Sequence, residues 1–371
     1  MTEKKEVKEQ KVEVREAQKD TEDKVEKEDQ IKTEDLLFES KSHSPPIIKL
    51  QSVQKDFKTE AFCVRYSPNS TQLAAGFSDG HMRIFNAYSG KLMFDWFVGT
   101  KSYGTILPVT SIRFRPAEYS SKVRNVVLVA GADGTIQHWH TTSGKRINKI
   151  TEKDNTVQCI DYRADGKVFA SAGSDAKVRV YDEELKQLAN TMEGGNAQNK
   201  TIGHTNRVFS LKFHPEHENV IITGGWDNTV QIWDIRQEEA VRRIYGPYLC
   251  GDCVDVHKDV VLTGSWREKD QLQEWDFKSG KLMKTYDWGI DEDDEQCKLY
   301  CAEFSHDGRL VAAGGSGRKE LKIFDRITGK PLYCLDKLDR GIYSVDFALN
   351  GSGVSCCGGQ GFIYTLSVYE F

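Results

Sequence analysis

The stretch ITGGWDNTVQIWDIR, residues 222–236, places two tryptophans, two aspartates and an adjacent glycine pair within fifteen residues. It reads as a strand of small and β-branched residues, a polar Asp-Asn turn, and a second strand that alternates and closes on Trp233-Asp234. Weaker copies recur along the chain. Aligned on the residue that closes a preceding strand, the units start at Val64, Ile112, Ile160, Leu211, Val254, Ala302 and Val345. Their last strands close on Phe85-Asn86, Trp139-His140, Tyr181-Asp182, Trp233-Asp234, Trp275-Asp276, Phe324-Asp325 and Leu366-Ser367. Successive closures are 54, 42, 52, 42, 49 and 42 residues apart. A 42-residue base period fits four short strands per repeat, and the longer gaps locate insertions near residues 98–109, 190–203 and 287–298.

A second register confirms the alignment. Three residues before each first-strand closure stands a small side chain: Cys63, Ser111, Cys159, Ser210, Cys253, Cys301 and Ser344. Seven Ser or Cys at seven equivalent positions mark a crowded, buried site, and account for four of the nine cysteines by packing.

At these residues the chain resembles the WD-repeat β-propeller family, over about residues 47–371. The segment GHTNRVFSLKFHPEHENVIITGGWDNTVQIWD carries the resemblance best, with Gly203-His204 and Trp233-Asp234 at the family's spacing. The resemblance implies an all-β, seven-bladed propeller closed by an N-terminal strand. It also implies a hydrogen-bonded network of His204, Thr223, Asp227 and Trp233 inside one blade. His204 and Asp227 look like a catalytic dyad, but such groups inside a sheet cost about 1–3 kcal/mol each when left unpaired, so a structural role is expected. Blade 3 keeps Ser171 and Asp175 of that network, and blade 1 keeps Asp79. The last repeat ends after its third strand, so the stretch PPIIKLQSV at 45–53 is expected to supply the missing outer strand and remove an open edge.

The N-terminus has a different composition. Residues 1–40 hold nine Lys/Arg against fourteen Asp/Glu, so the remaining 331 residues balance at 42 of each sign. The valines of the segment hold no heptad. Residues 1–44 therefore read as a disordered mixed-charge tail and 45–371 as one propeller domain. A neutral body argues against a broad nucleic-acid footprint, and no nucleic-acid partner is expected. Neither an 18-residue apolar run nor a secretory signal occurs, so the expected location is intracellular, first the cytoplasm, with nucleus or cytoskeleton as alternatives.

Chemistry is sparse. Cys250-Gly-Asp-Cys253 with Cys297 and Cys301 could form a zinc site if the four met, but two of them already fill the repeated small position. There is no nucleophile elbow and no phosphate loop before a helix. No metal, cofactor or catalytic residue is expected, and a propeller-based hydrolase is the weakest alternative. Binding is the stronger class. In the family, partner contacts lie four and six residues before the first-strand closure and beside the network Asp. Here those positions are Phe62, Thr110, Gln158, Phe209, Asp252, Tyr300 and Tyr343; Glu60, Arg207 and Lys298; and Trp226 with Trp266. The expected partner-binding set is Phe62, Arg207, Phe209, Trp226, Trp266, Tyr300 and Tyr343, rich in the aromatics and Arg of interface hot spots, and centred on blades 4 to 6. Trp233-Asp234-Ile235-Arg236 also resembles the adaptor box of substrate receptors for cullin-based ubiquitin ligases. The resulting expectation is a non-enzymatic scaffold, monomeric within a larger complex, that recruits proteins or peptide motifs through one face, with the ligase receptor as alternative. The acidic run 291–295 reads as a solvated loop.

Overall fold

The computed structural model describes residues 46–55, 58–102, 104–119, 125–194, 203–289 and 296–369. The tail (1–44) and the acidic run (291–295) lie outside them, as does most of the 190–203 insertion. Seven four-stranded antiparallel sheets follow one another along the chain. Their first strands are Ala61–Tyr66, Val109–Phe114, Val157–Tyr162, Val208–Phe213, Val254–His257, Lys298–Phe304 and Ile342–Phe347. Each packs beside the next, and the seventh returns to the first, so the blades form a closed ring with these strands innermost. Apart from a single 3-10 turn at Gly359–Gly361, the described residues hold no helix, and none long and apolar enough to cross a membrane.

The ring closes as the sequence suggests. Ile47–Gln54 pairs antiparallel with Ile363–Tyr369, so the N-terminal strand becomes the outer strand of blade 7. The insertion at 98–109 contains a small ribbon in which Lys101–Ser102 pairs with Thr105–Ile106.

The core lies between blades. Trp233 is fully buried with Val208, Leu211 and Phe213 of its own blade and Cys159, Ala170 and Ala172 of blade 3. The glycine pair of the opening stretch serves this close packing. A Cβ on Gly224 would meet Leu249 at 2.9 Å, and one on Gly225 would meet the Arg207 carbonyl at 2.1 Å. The small position does more than fit. Ser210 accepts the Val254 N–H (2.9 Å) and Ser344 the Val64 N–H (3.2 Å), each from the following blade. Two residues further on, carboxylates repeat the device: Asp161, Asp255 and Asp346 accept the N–H of Phe213 (2.9 Å), Phe304 (2.8 Å) and Tyr66 (2.6 Å).

Candidate binding site on the central face

Six of the seven inner strand pairs carry a register shift at one repeated place, and the residue it leaves unpaired is Phe62, Thr110, Gln158, Phe209, Tyr300 or Tyr343. A bulge turns such a side chain out of the sheet's alternation. Here it turns one from each of six blades toward the axis. In blade 5 the strand starts later, and Asp252 reaches the equivalent place through an isolated bridge to Cys301. All seven line one cavity of about 410 Å³ at the mouth of the central channel, together with Pro108, Ala132 and Cys250. Three of the four aromatic members, Phe62, Tyr300 and Tyr343, touch one another through Tyr343, and the fourth is Phe209. Phe62 stacks on Tyr343 (5.6 Å between centroids), and Tyr300 meets Tyr343 edge-on (5.7 Å). None of the four is fully exposed; each is half-buried.

Trp226 extends this wall outward. Its ring lies 5.0 Å from Phe209, its indole N–H donates to the Cys250 sulfur (3.1 Å), and the exposed Arg207 guanidinium sits over it at 5.5 Å. Trp266 stands apart from the cavity lining. Lys298 covers its ring at 5.0 Å, Lys298 pairs with Glu268, and the buried indole N–H has no partner. The aromatic arc therefore runs through blades 4, 6, 7 and 1 around the well, with Trp266 outside the lining, whereas the sequence centred it on blades 4 to 6.

The floor of the well carries charges that the sequence reading passed over. One residue before each first-strand closure stands an ionisable side chain: Arg65, Arg113, Asp161, Lys212, Asp255, Glu303 and Asp346. The signal, seven of seven, was as plain as the Ser/Cys register. These side chains meet inside the channel. Asp252 Oδ2 takes hydrogen bonds from Arg65 and from Arg113 (2.9 Å), while Oδ1 accepts from Ser210 (3.0 Å). Burial works to raise the Asp252 pKa, but Arg113 and Arg65 outweigh it and hold the carboxyl far below the usual range. Arg113 also binds Asp161 at 3.1 Å, and Lys212 lies 3.0 Å from Asp255 and 3.6 Å from Glu303. Burial, with Asp346 nearby, pushes Glu303 up to about 8, and its Oε2 has no partner.

The blade 4 network is complete and closed to reactants. His204 joins Asp227 (2.8 Å) through Nδ1 and Thr223 (2.7 Å) through Nε2, and the Trp233 N–H donates to the same hydroxyl (2.7 Å). Its hydroxyl is fully engaged and buried, and so unavailable as a nucleophile. In blade 3 the sequence identified only Ser171 and Asp175, yet the network is rebuilt around Glu152. That carboxylate accepts from Ser171 (2.5 Å), Tyr181 (2.8 Å), Arg179 (3.1 Å) and Asn155 (2.6 Å). The adaptor-box residues lie at the opposite end of their strand from Trp226. Trp233 is inaccessible, and Arg236, 69% exposed, is held on Asp234 by bonds of 2.9 and 2.6 Å.

Among the described residues the four cysteines of the zinc alternative do not assemble; the group whose ligand atoms lie within 4.8 Å of one another is His214, His217 and Asp259. It suits a metal poorly. His214 Nδ1 accepts the N–H of Glu216 (3.1 Å) and His217 (3.2 Å), which leaves the proton on Nε2. A ligating imidazole needs its second nitrogen to be the donor.

Two family models match the chain: "WD domain, G-beta repeat" at residues 51–86 and 196–234, and "Anaphase-promoting complex subunit 4 WD40 domain" at 117–206. The chain is 25% identical over 313 residues to the U5 small nuclear ribonucleoprotein 40 kDa protein of Dictyostelium discoideum, covering 83% of this chain and 81% of that one. It is 25% identical to the Periodic tryptophan protein 2 homolog of the same organism over 56% of this chain, and 26% identical to mouse Pre-mRNA-processing factor 19 over 44%. These matches span only 20% and 29% of the two longer relatives.

Proposed function

We propose that this chain, a WD-repeat β-propeller by its matched repeats and its seven blades, is a non-enzymatic scaffold that recruits partner proteins through the face onto which the aromatic well opens. The observation that carries the reading is the convergence of the bulged residues. Bulges that re-aim side chains tend to mark sites, and half-buried aromatics flanked by an exposed Arg have the composition of interface hot spots. The well collects one residue from the equivalent position of every blade, bulged in six of them and aromatic in four. A relative similar over most of this chain takes its name from a ribonucleoprotein, which supports a place within a multi-component assembly. That name contains "small nuclear", so the comparisons give no preference to the cytoplasm, and the nucleus fits this reading at least as well. The ligase-receptor alternative carries less: its box offers an adaptor only Asp234 and Arg236, already engaged with one another.

The test is quantitative recovery of partners on the tagged full chain from its native cell. The double variant Trp226→Ala, Tyr343→Ala removes two wall aromatics. Each typically costs about 2 kcal/mol or more in binding, roughly thirtyfold in affinity, so the specific partners should be lost while the melting temperature holds. Lys91→Ala with Lys281→Ala, on exposed outer edges, is the control and should retain them. The reverse pattern would place the partner surface on the side of the propeller and discard the well.

A further inference from the structure

We infer that the well takes an apolar side chain, aromatic or branched aliphatic, from an extended peptide that carries a carboxylate within two or three residues of it; this rests on the reading of the well as the recruiting site. An aromatic well with an acid at its floor invites the opposite conclusion, a basic side chain held by cation–π attraction. The floor decides against it. Asp252 is the one carboxylate among the lining residues. Both of its oxygens are taken, one by Arg65 and Arg113 and the other by the Ser210 hydroxyl. A Lys or Arg entering the well would face two buried guanidiniums immediately behind a carboxylate that is already satisfied. Cation–π attraction, about 0.5–2 kcal/mol, would have to offset both that repulsion and the loss of water from the incoming charge. An apolar side chain meets neither cost. It gains contact with the ring surfaces of Phe62, Tyr300 and Tyr343 that line the cavity, which is at the small end of ligand sites.

The charge lies outside the well, where it is accessible. Arg207 is exposed, stands over Trp226, and among the described residues makes no ion pair. Trp226 touches both Phe209 and Cys250 of the lining. A peptide whose apolar side chain fills the well and whose chain leaves across Trp226 passes beneath the Arg207 guanidinium, and a planar guanidinium recognises a carboxylate by paired hydrogen bonds.

The experiment is a selection of random twelve-residue peptides displayed on phage against the full-length chain at low salt. The expected enrichment is an apolar anchor (Phe, Trp, Leu or Ile) with Asp or Glu two or three residues away. Two variants assign the site. Gln158→Trp plugs the cavity from a half-exposed position and should abolish binding of the selected peptides with an unchanged melting temperature. Arg207→Glu should weaken the acidic peptides about tenfold and leave neutral ones with the same anchor nearly unaffected. Enrichment of Lys or Arg as the anchor, lost on plugging, would overturn the inferred chemistry and leave the well as the binding site. Peptides that bind the plugged variant as well as the wild type, or no enrichment beyond it, would overturn both. An Arg207→Glu variant with undiminished affinity for the acidic peptides would overturn the flanking carboxylate.

Discussion

Glu303 shows what a single position in the channel costs the fold. It sits among Lys212, Asp255 and Asp346 with one oxygen unpartnered, and burial keeps its pKa near 8. An unfolded Glu titrates near 4.3. Its folded value is raised, so the folded state binds the extra proton between those limits, and stability must fall as the pH rises through that window. Glu303→Gln should remove this slope, leaving the protein more stable than wild type at pH 8 and little changed at pH 5. Urea unfolding at several pH values reads it; an unaltered slope would mean that Glu303 is ionised in the fold. Nothing in the identity of Glu303 announces this. The sequence shows that seven ionisable residues recur, three cationic and four acidic. Which of them pair is decided by ring closure, which brings Arg65 of blade 1 within 3.7 Å of Asp346 of blade 7. The Ser/Cys register was legible because its cause, crowding, acts within one strand. The pairing of the charged register acts across the molecule.

At the scale of strands and turns, the period of 42 and the closing aromatics were sufficient to place the blades, because each strand obeys a local alternation. The bulges were not legible as bulges. Phe62 and Tyr343 could be numbered from the repeat, but only the broken pairing between Ala61 and Cys63, or Ile342 and Ser344, explains why they leave the sheet. Networks inside blades were legible only where the usual residue types survive. Blade 3 escaped because Glu152 precedes its blade and replaces a His with an acid, to which Tyr181 supplies the donor that Trp233 supplies in blade 4. Both blades should respond alike to loss of the central acceptor or its orienting partner. Asp227→Ala leaves the buried His204 without its carboxylate, and Glu152→Ala leaves Ser171, Tyr181 and Asn155 without theirs, while Arg179 keeps Asp175. Each should cost about 1–3 kcal/mol in chemical denaturation. A neutral result for Glu152→Ala would reduce the blade 3 network to a surface cluster.

A ring of blades has no free sheet edge at its seam only while its first strand stays with its last, and the seam is where the whole molecule is most exposed to error. The residues joined there, Ile47–Gln54 and Ile363–Tyr369, are separated by nearly the entire described chain. The N-terminal strand buries little: Ile47 and Leu50 remain exposed, and Ile48 is its chief inward contact. Its contribution is therefore the ladder of main-chain hydrogen bonds and the cover it gives to Leu366 and Val368, not a large apolar area. Pairing begins at Ile47, so a chain that starts at Pro46 should keep its melting temperature to within about 2 °C. A chain that starts at Lys55 loses the outer strand and presents Ile363–Tyr369 as an unpaired, largely apolar edge. Such edges recruit other strands, so the shortened chain should self-associate, measurable by sedimentation, and melt lower. A synthetic peptide of residues 46–54 should restore the monomer, because the missing strand is held by backbone pairing that does not require covalent continuity. The same peptide with proline in place of Leu50, whose partner is Leu366, should fail. Monomeric behaviour without the strand would show that three strands suffice for blade 7, and that the seam is not held by the N-terminal segment.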